Sequence, residues 1–253
     1  MILILSSFVA ASPVGGGAQL KALAALETEV VLVPTTLFGR HPGLGPPGGA
    51  AVAPEVFAGV LDGVAATGVL DRLTALITGY FASAAQIEPV AGLIDEVRRR
   101  SSECLVVVDP IMGDTGKGLY VGAEVARAQA DLLTPRADLL APNAWELQRL
   151  TGCVISDPAS ARAAAREAGR AVLVSSVPAG REIGVLWSDG EEAWLARHAR
   201  VERPVHGAGD LLTALFTAAL AEGASGPDAL ETAVSDVAAF VLGEAPAVTL
   251  EAL

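Results

Sequence analysis

Short runs of apolar and β-branched residues recur along this chain at Ile2–Leu5, Val30–Val33, Leu76–Thr78, Leu105–Val108, Leu139–Leu140 and Val172–Val174, set between longer stretches with helical spacing. Runs that are apolar at every position leave no polar face for water, so they fit strands buried on both sides, as in a parallel sheet covered by helices. The intervening segments support this. Ile87, Val90, Ile94 and Val97 fall three or four residues apart on one helical face. Arg98-Arg99-Arg100 then occupy the last turn, where cations complement the helix dipole. Asp157-Pro158 supplies an N-cap and an N1 proline, and Leu230, Val234, Val237 and Val241 form the core stripe of a closing helix.

Strand alternating with helix predicts an α/β three-layer fold, with a mostly parallel central sheet and helices on both faces. Ile183–Trp187 and Ala193–Leu195, joined around Asp189-Gly190, read instead as a hairpin that gives the sheet an antiparallel edge. We expect one domain over residues 1–253, with the Gly- and Pro-rich stretch 39–54 as a mobile loop near the mouth of the site.

Composition narrows the function. Of the 253 residues 52% are hydrophobic, enough for a sizeable core, yet no apolar run approaches the roughly 18 residues of a membrane span. A net charge of -12 lacks the basic surface that nucleic acid requires. An acidic chain that binds an anion must concentrate positive potential locally, through helix starts, glycine-rich turns or metal ions. Cys104 and Cys153 have neither a disulfide framework nor a zinc pattern around them, and Cys104 reads as a small core hydrophobe. The N-terminal run lacks the basic region of a secretion signal and reads as a buried first strand of a cytoplasmic protein.

In open α/β sheets, ligands bind beyond the carboxyl ends of the strands. Four such places carry polar groups: Ser7, Tyr80, Asp109 and Asn143. After the fourth run, Asp109-Pro110-Ile111-Met112-Gly113-Asp114 is followed by a glycine-punctuated loop with Lys117. Its carboxylates suit Mg²⁺ held through water or a nucleotide, while Asp-Pro also starts turns on its own account. Asn143 and Glu146, three apart at a helix start, read either as a cap with an acidic first turn or as part of a magnesium and phosphate site. His206-Gly207-Ala208-Gly209-Asp210 runs into an apolar helix. Its glycines free backbone N–H groups to approach an anion and Asp210 stands ready as a base, although an acidic first turn also merely complements a dipole. A Rossmann-type dinucleotide motif is missing after the first strand, with only Gly15-Gly16-Gly17 some way beyond it.

Taken in order, Ser7, Tyr80, Asp-Pro-Ile-Met-Gly, Pro-Asn-x-x-Glu and Gly-Ala-Gly-Asp resemble the ribokinase-like superfamily and, within it, the pyridoxal kinases, over nearly the whole length. The resemblance implies an ATP-dependent phosphorylation of the 5′-hydroxymethyl of pyridoxal, and of pyridoxine or pyridoxamine, by a homodimer using Mg²⁺ and a monovalent cation such as K⁺. By that resemblance, Asp210 is the base and Gly207, Ala208 and Gly209 cradle the transferring phosphoryl group. Asp109, Asp114, Asn143 and Glu146 organise nucleotide and Mg²⁺, with Asp109 and Glu146 reaching the metal through water. Ser175 and Ser176 contact the nucleotide, and Ser7, Val14, His41 and Tyr80 line the vitamer pocket.

The chain departs from this family at His41-Pro42-Gly43, where a polar His-Thr-Gln is common. Two alternatives stand beside this reading: a hydroxymethylpyrimidine kinase, a group that commonly has cysteine at the place of Asp210, and a vitamer- or nucleotide-binding protein without turnover. An interface is expected near Val52, Val56 and Phe57, the last two of which equally suit the core.

Overall fold

The computed structural model describes residues 1–201, 203, 205–243 and 247–253. Among them the elements are β1 (Ile2–Val9), α1 (Gly15–Ala25), β2 (Val30–Phe38), β3 (Gly49–Ala51), α2 (Pro54–Ala66), β4 (Ala75–Thr78), α3 (Ile87–Arg100) and β5 (Leu105–Val108). There follow β6 (Gly113–Asp114), β7 (Gly118–Leu119), α4 (Ala123–Ala128), β8 (Leu139–Leu140), α5 (Ala144–Thr151), α6 (Pro158–Glu167) and β9 (Ala171–Ala179). The chain closes with β10 (Glu182–Ser188), β11 (Ala193–Ala199), α7 (Ala208–Ala221), α8 (Gly226–Leu242) and β12 (Thr249–Ala252).

Among the described residues, ten strands form one sheet in the order β12-β11-β10-β9-β8-β5-β4-β1-β2-β3. The pairings from β2 through β1, β4, β5 and β8 to β9 are parallel. Those of β9 with β10, β10 with β11 and β11 with β12 are antiparallel, as the hairpin around Asp189-Gly190 led us to expect.

Period-two alternation splits each apolar strand between two cores. Leu3, Leu5, Val106 and Val108 pack with Phe57 of α2, Ile94 of α3, Leu147 of α5 and Ala161 of α6. Ile2, Ile4 and Val107 point the other way, onto Leu23 of α1, Phe216 of α7 and Leu230 of α8. Burial on both faces is why these strands carry no polar alternation. Each fully buried Leu or Ile contributes roughly 1.5–3 kcal/mol, which dominates the weak strand preference of the shorter runs. Cys104 is buried in the first core as a small hydrophobe, its thiol pushed up to about 11 by burial.

Two differences from the sequence reading bear on the site. The stretch 39–54, expected as a mobile loop, is partly strand: Gly49–Ala51 pairs antiparallel with Thr36–Phe38 and closes the segment into a ribbon on the edge of β2. Gly-Ala-Ala has little strand preference of its own, and the pairing comes from the exposed edge of β2. Of the residues expected near an interface, Phe57 is buried in the core, whereas Val56 is 54% exposed and Val60 shares its side of α2.

Candidate active site

The sheet register assembles the site. Leu5, Thr78, Val108 and Leu140 lie in one row across β1, β4, β5 and β8. The residues one and two positions further on therefore emerge together at the carboxyl edge: Ser6 and Ser7, Gly79 and Tyr80, Asp109, then Pro142 and Asn143 just beyond. This edge lies where the chain leaves β1 toward β2 on one side and β4 takes the other, the crevice where open α/β sheets bind ligands.

Two helices aim their first turns at this edge. Gly207 adopts φ 87°, and a Cβ there would overlap the carbonyl oxygen of Pro13, so the turn before α7 lies directly on the segment that opens α1. The result is a hydrogen bond between distant parts of the chain: the Gly15 N–H donates to Asp210 Oδ2 at 2.8 Å. Asp210 Oδ1 is shielded from solvent and has no hydrogen-bond partner among the described residues. Burial pushes this carboxyl up to about 6, against the opposing pull of the Gly15 N–H. The N-cap residues of α1 and α7, Val14 and Gly207, supply no side-chain cap; apart from the Gly15 N–H, which Asp210 takes, their leading N–H groups and both helix dipoles favour negative charge there. Gly15 itself, at φ 64°, has Ser7 packed where a side chain would stand.

Beside Asp210 stand two more buried carboxylates. Asp109 is 5% exposed and accepts a hydrogen bond from Thr213 Oγ1 of α7 at 2.8 Å. Burial, and then the charges of Glu146 and Asp210, hold it well above the usual carboxylate range. Glu146 accepts from the Met112 and Gly113 N–H groups at 2.7 and 3.2 Å through Oε1, and from the Asn143 N–H at 2.9 Å through Oε2. Asn143 completes a capping box, its Oδ1 accepting from the Glu146 N–H at 2.9 Å, and its Nδ2 donates to the Gly113 carbonyl at 2.8 Å. These bonds fix the loop after β5, where Ile111 takes φ 37°, a strained value that the network holds in place. Glu146 is pushed up to about 7, burial outweighing three backbone donors.

Such a concentration of buried negative charge fits a divalent cation. Among the described residues no group of three or more His, Cys, Asp or Glu could hold one directly.

The remaining expected residues fall around this centre. Ser7 and Val14 are buried on the strand and segment that face Asp210 through Gly15. Tyr80 is held by its backbone: its N–H donates to Ser6 Oγ at 3.2 Å and its carbonyl accepts from Thr35 Oγ1 at 2.6 Å. Burial raises its phenol. Ser175 pairs with Asn143 in a parallel bridge, and Ser176 takes φ 60° at the β9 irregularity opposite Gly184–Leu186. Asp114 turns outward on the β6–β7 hairpin, 3.6 Å from Lys117 Nζ and 43% exposed, its charge adding to the rise of Glu146. Ala208 and Gly209 form the first turn of α7.

Gly15 and Thr213 contribute to the site without having been picked out from the sequence. The Gly15-Gly16-Gly17 run was the available signal for the first; Thr213 is one turn past Asp210, on its side of the helix.

A family model described as phosphomethylpyrimidine kinase matches residues 15–247. Pyridoxal kinase PdxY of Deinococcus radiodurans is 35% identical over 95% of this chain and 85% of its own length. The pyridoxine/pyridoxal/pyridoxamine kinase of Bordetella avium is 37% identical over 86% of this chain and 76% of its own. Among solved structures, pyridoxal kinase from Leishmania donovani in complex with ADP and pyridoxamine superposes with a TM-score of 0.88 at 25% identity, covering 96% of this chain and 86% of that one. Pyridoxal kinase from Entamoeba histolytica gives 0.90 with 99% of both chains covered; at 24% identity it speaks for the fold.

Proposed function

Since this chain belongs to the phosphomethylpyrimidine kinase family and has pyridoxal kinases among its relatives, we propose that it transfers the γ-phosphoryl group of ATP to the 5′-hydroxymethyl of pyridoxal, giving pyridoxal 5′-phosphate and ADP. Pyridoxine and pyridoxamine are further substrates by the same chemistry. The observation that carries the reading is Asp210: a carboxylate with one oxygen held by the Gly15 N–H at the start of α1 and the other shielded and without a partner among the described residues, at the uncapped start of α7.

Phosphoryl transfer needs positioning and charge stabilisation more than covalent chemistry. Asp210 Oδ1 takes the hydroxymethyl proton as the hydroxymethyl oxygen bonds the γ-phosphorus and the bond from that phosphorus to the leaving ADP oxygen breaks. The N–H groups of Gly207, Ala208 and Gly209 meet the charge on the transferring group. A carboxyl held near 6 is mostly ionised at neutral pH and close enough in pKa to serve as a base. Asp109 and Glu146 would hold Mg²⁺ through water; the ion would neutralise phosphate charge. Asn143, Ser175 and Ser176 lie along the edge assigned to the nucleotide, with Asp114 and Lys117 on the hairpin beside it. Ser7, Val14, His41 and Tyr80 bound the vitamer. The exposed Val56 and Val60 support a homodimer through α2, and unpaired Cys104 and Cys153 suit a reducing cytoplasm.

The test is ADP release by the purified chain with pyridoxal, pyridoxine, pyridoxamine and hydroxymethylpyrimidine side by side. Turnover highest with a B6 vitamer is the expected result. Preference for the pyrimidine would place the chain with the other activity of the family, and no ADP above background would make it a binding protein.

A further inference from the structure

His41 and His206 come from distant elements, yet their rings stack with centroids 4.3 Å apart and 29° between planes. His41 opens the 3₁₀ turn of the β2–β3 ribbon. Its N–H donates to Ser12 Oγ at 3.0 Å, and its Nδ1 accepts from the Gly43 N–H at 3.1 Å. That acceptor role places the neutral ring's proton on Nε2. A Cβ at position 43 would stand 2.9 Å from His41 Nδ1 and 3.1 Å from its Cε1, with His206 Cε1 at 3.9 Å. The glycine at 43 thus makes room for the ring in its stacked position. The departure at Pro42-Gly43 and the histidine at 206 are parts of one arrangement. His206 immediately precedes Gly207, so the stack joins the ribbon tip to the turn that carries Asp210.

We propose that His206 is a positioning residue: through its stack on His41 it closes the 39–48 segment against the Gly207–Asp210 turn and so sets affinity for the vitamer. This rests on the B6 kinase reading above. The charged groups facing His41 are His206, from the turn before α7, and Lys117, from the β6–β7 hairpin; with burial foremost, they hold its imidazole below the ordinary histidine range.

In the full-length enzyme, His206→Ala is expected to raise the pyridoxal KM about three- to tenfold, the worth of one aromatic pair, while kcat and the ATP KM stay within about twofold. His206→Phe keeps the aromatic face and restores the KM. Tryptic cleavage after Arg40 in the absence of substrate provides a readout independent of turnover. It should accelerate in His206→Ala and return toward wild type in His206→Phe. Unchanged pyridoxal KM and unchanged cleavage in His206→Ala, or a Phe variant as impaired as the Ala variant, would overturn the proposal. If the wild type phosphorylates no B6 vitamer, the functional reading fails, and the cleavage rates still decide whether His206 holds the segment closed.

Discussion

Helices α5 and α7 both start at the carboxyl edge of the sheet with an acidic residue in the first turn, Glu146 and Asp210, and by sequence both allow the same two interpretations. The structure separates them by what their donors and carboxylates already satisfy. At α5 the start is closed: Asn143 caps it, and both oxygens of Glu146 are engaged by backbone N–H groups. At α7 the start is open, with Gly207 giving no side-chain cap and one oxygen of Asp210 without a partner among the described residues. The comparison teaches that an acidic first turn becomes a candidate reaction centre where the helix leaves its own donors unsatisfied. Where they are satisfied internally, the same residues build the wall of the site, from which Glu146 would meet a metal ion only through water.

The sharpest way to break this comparison is to neutralise Asp210. Asp210→Asn is expected to lower kcat by about 100- to 10,000-fold, the range for losing a general base. The same change should stabilise the fold. A buried acid raised to about 6 against an ordinary 3.8 is protonated more readily folded than unfolded. Its ionisation therefore costs stability progressively as pH rises through that window, and the full cost applies above it. The Asn variant should thus exceed wild type by about 3 kcal/mol at pH 7, with the difference closing as pH falls toward 3, measured by denaturant unfolding. Asn143→Ala carries the opposite signature. Losing the cap should cost about 1 kcal/mol of stability, with activity reduced less than about tenfold and mainly through the ATP KM. Equal losses of activity at the two positions would erase the distinction between the two helix starts.

Much of this was legible in the sequence. The runs at Ile2–Leu5, Leu105–Val108 and Val172–Val174 form strands because burial on both faces demands apolar residues throughout, and the edge hairpin follows from its turn. Strands β3 and β12 were not legible: Gly49-Ala50-Ala51 and Thr249–Ala252 pair because a neighbouring edge is available, a property of the fold and not of the segment. The site followed the same division. Residues at strand ends, such as Asp109 and Tyr80, could be located by counting along apolar runs. The Gly15–Asp210 bond could not, since 195 positions separate its partners and only the packing of Gly207 on Pro13 brings them together. The closed state of Glu146 depends likewise on Met112 and Gly113, over thirty residues away.

The central claim, that the open start of α7 holds the proton acceptor, is tested most directly by the pH dependence of kcat/KM for pyridoxal in wild type and Asp210→Asn. A group held near 6 that must be ionised predicts a wild-type rate that falls tenfold per pH unit below about 6, and a residual Asn rate without that inflection. A wild-type profile flat through pH 6, or the same inflection persisting in Asp210→Asn, would contradict the account.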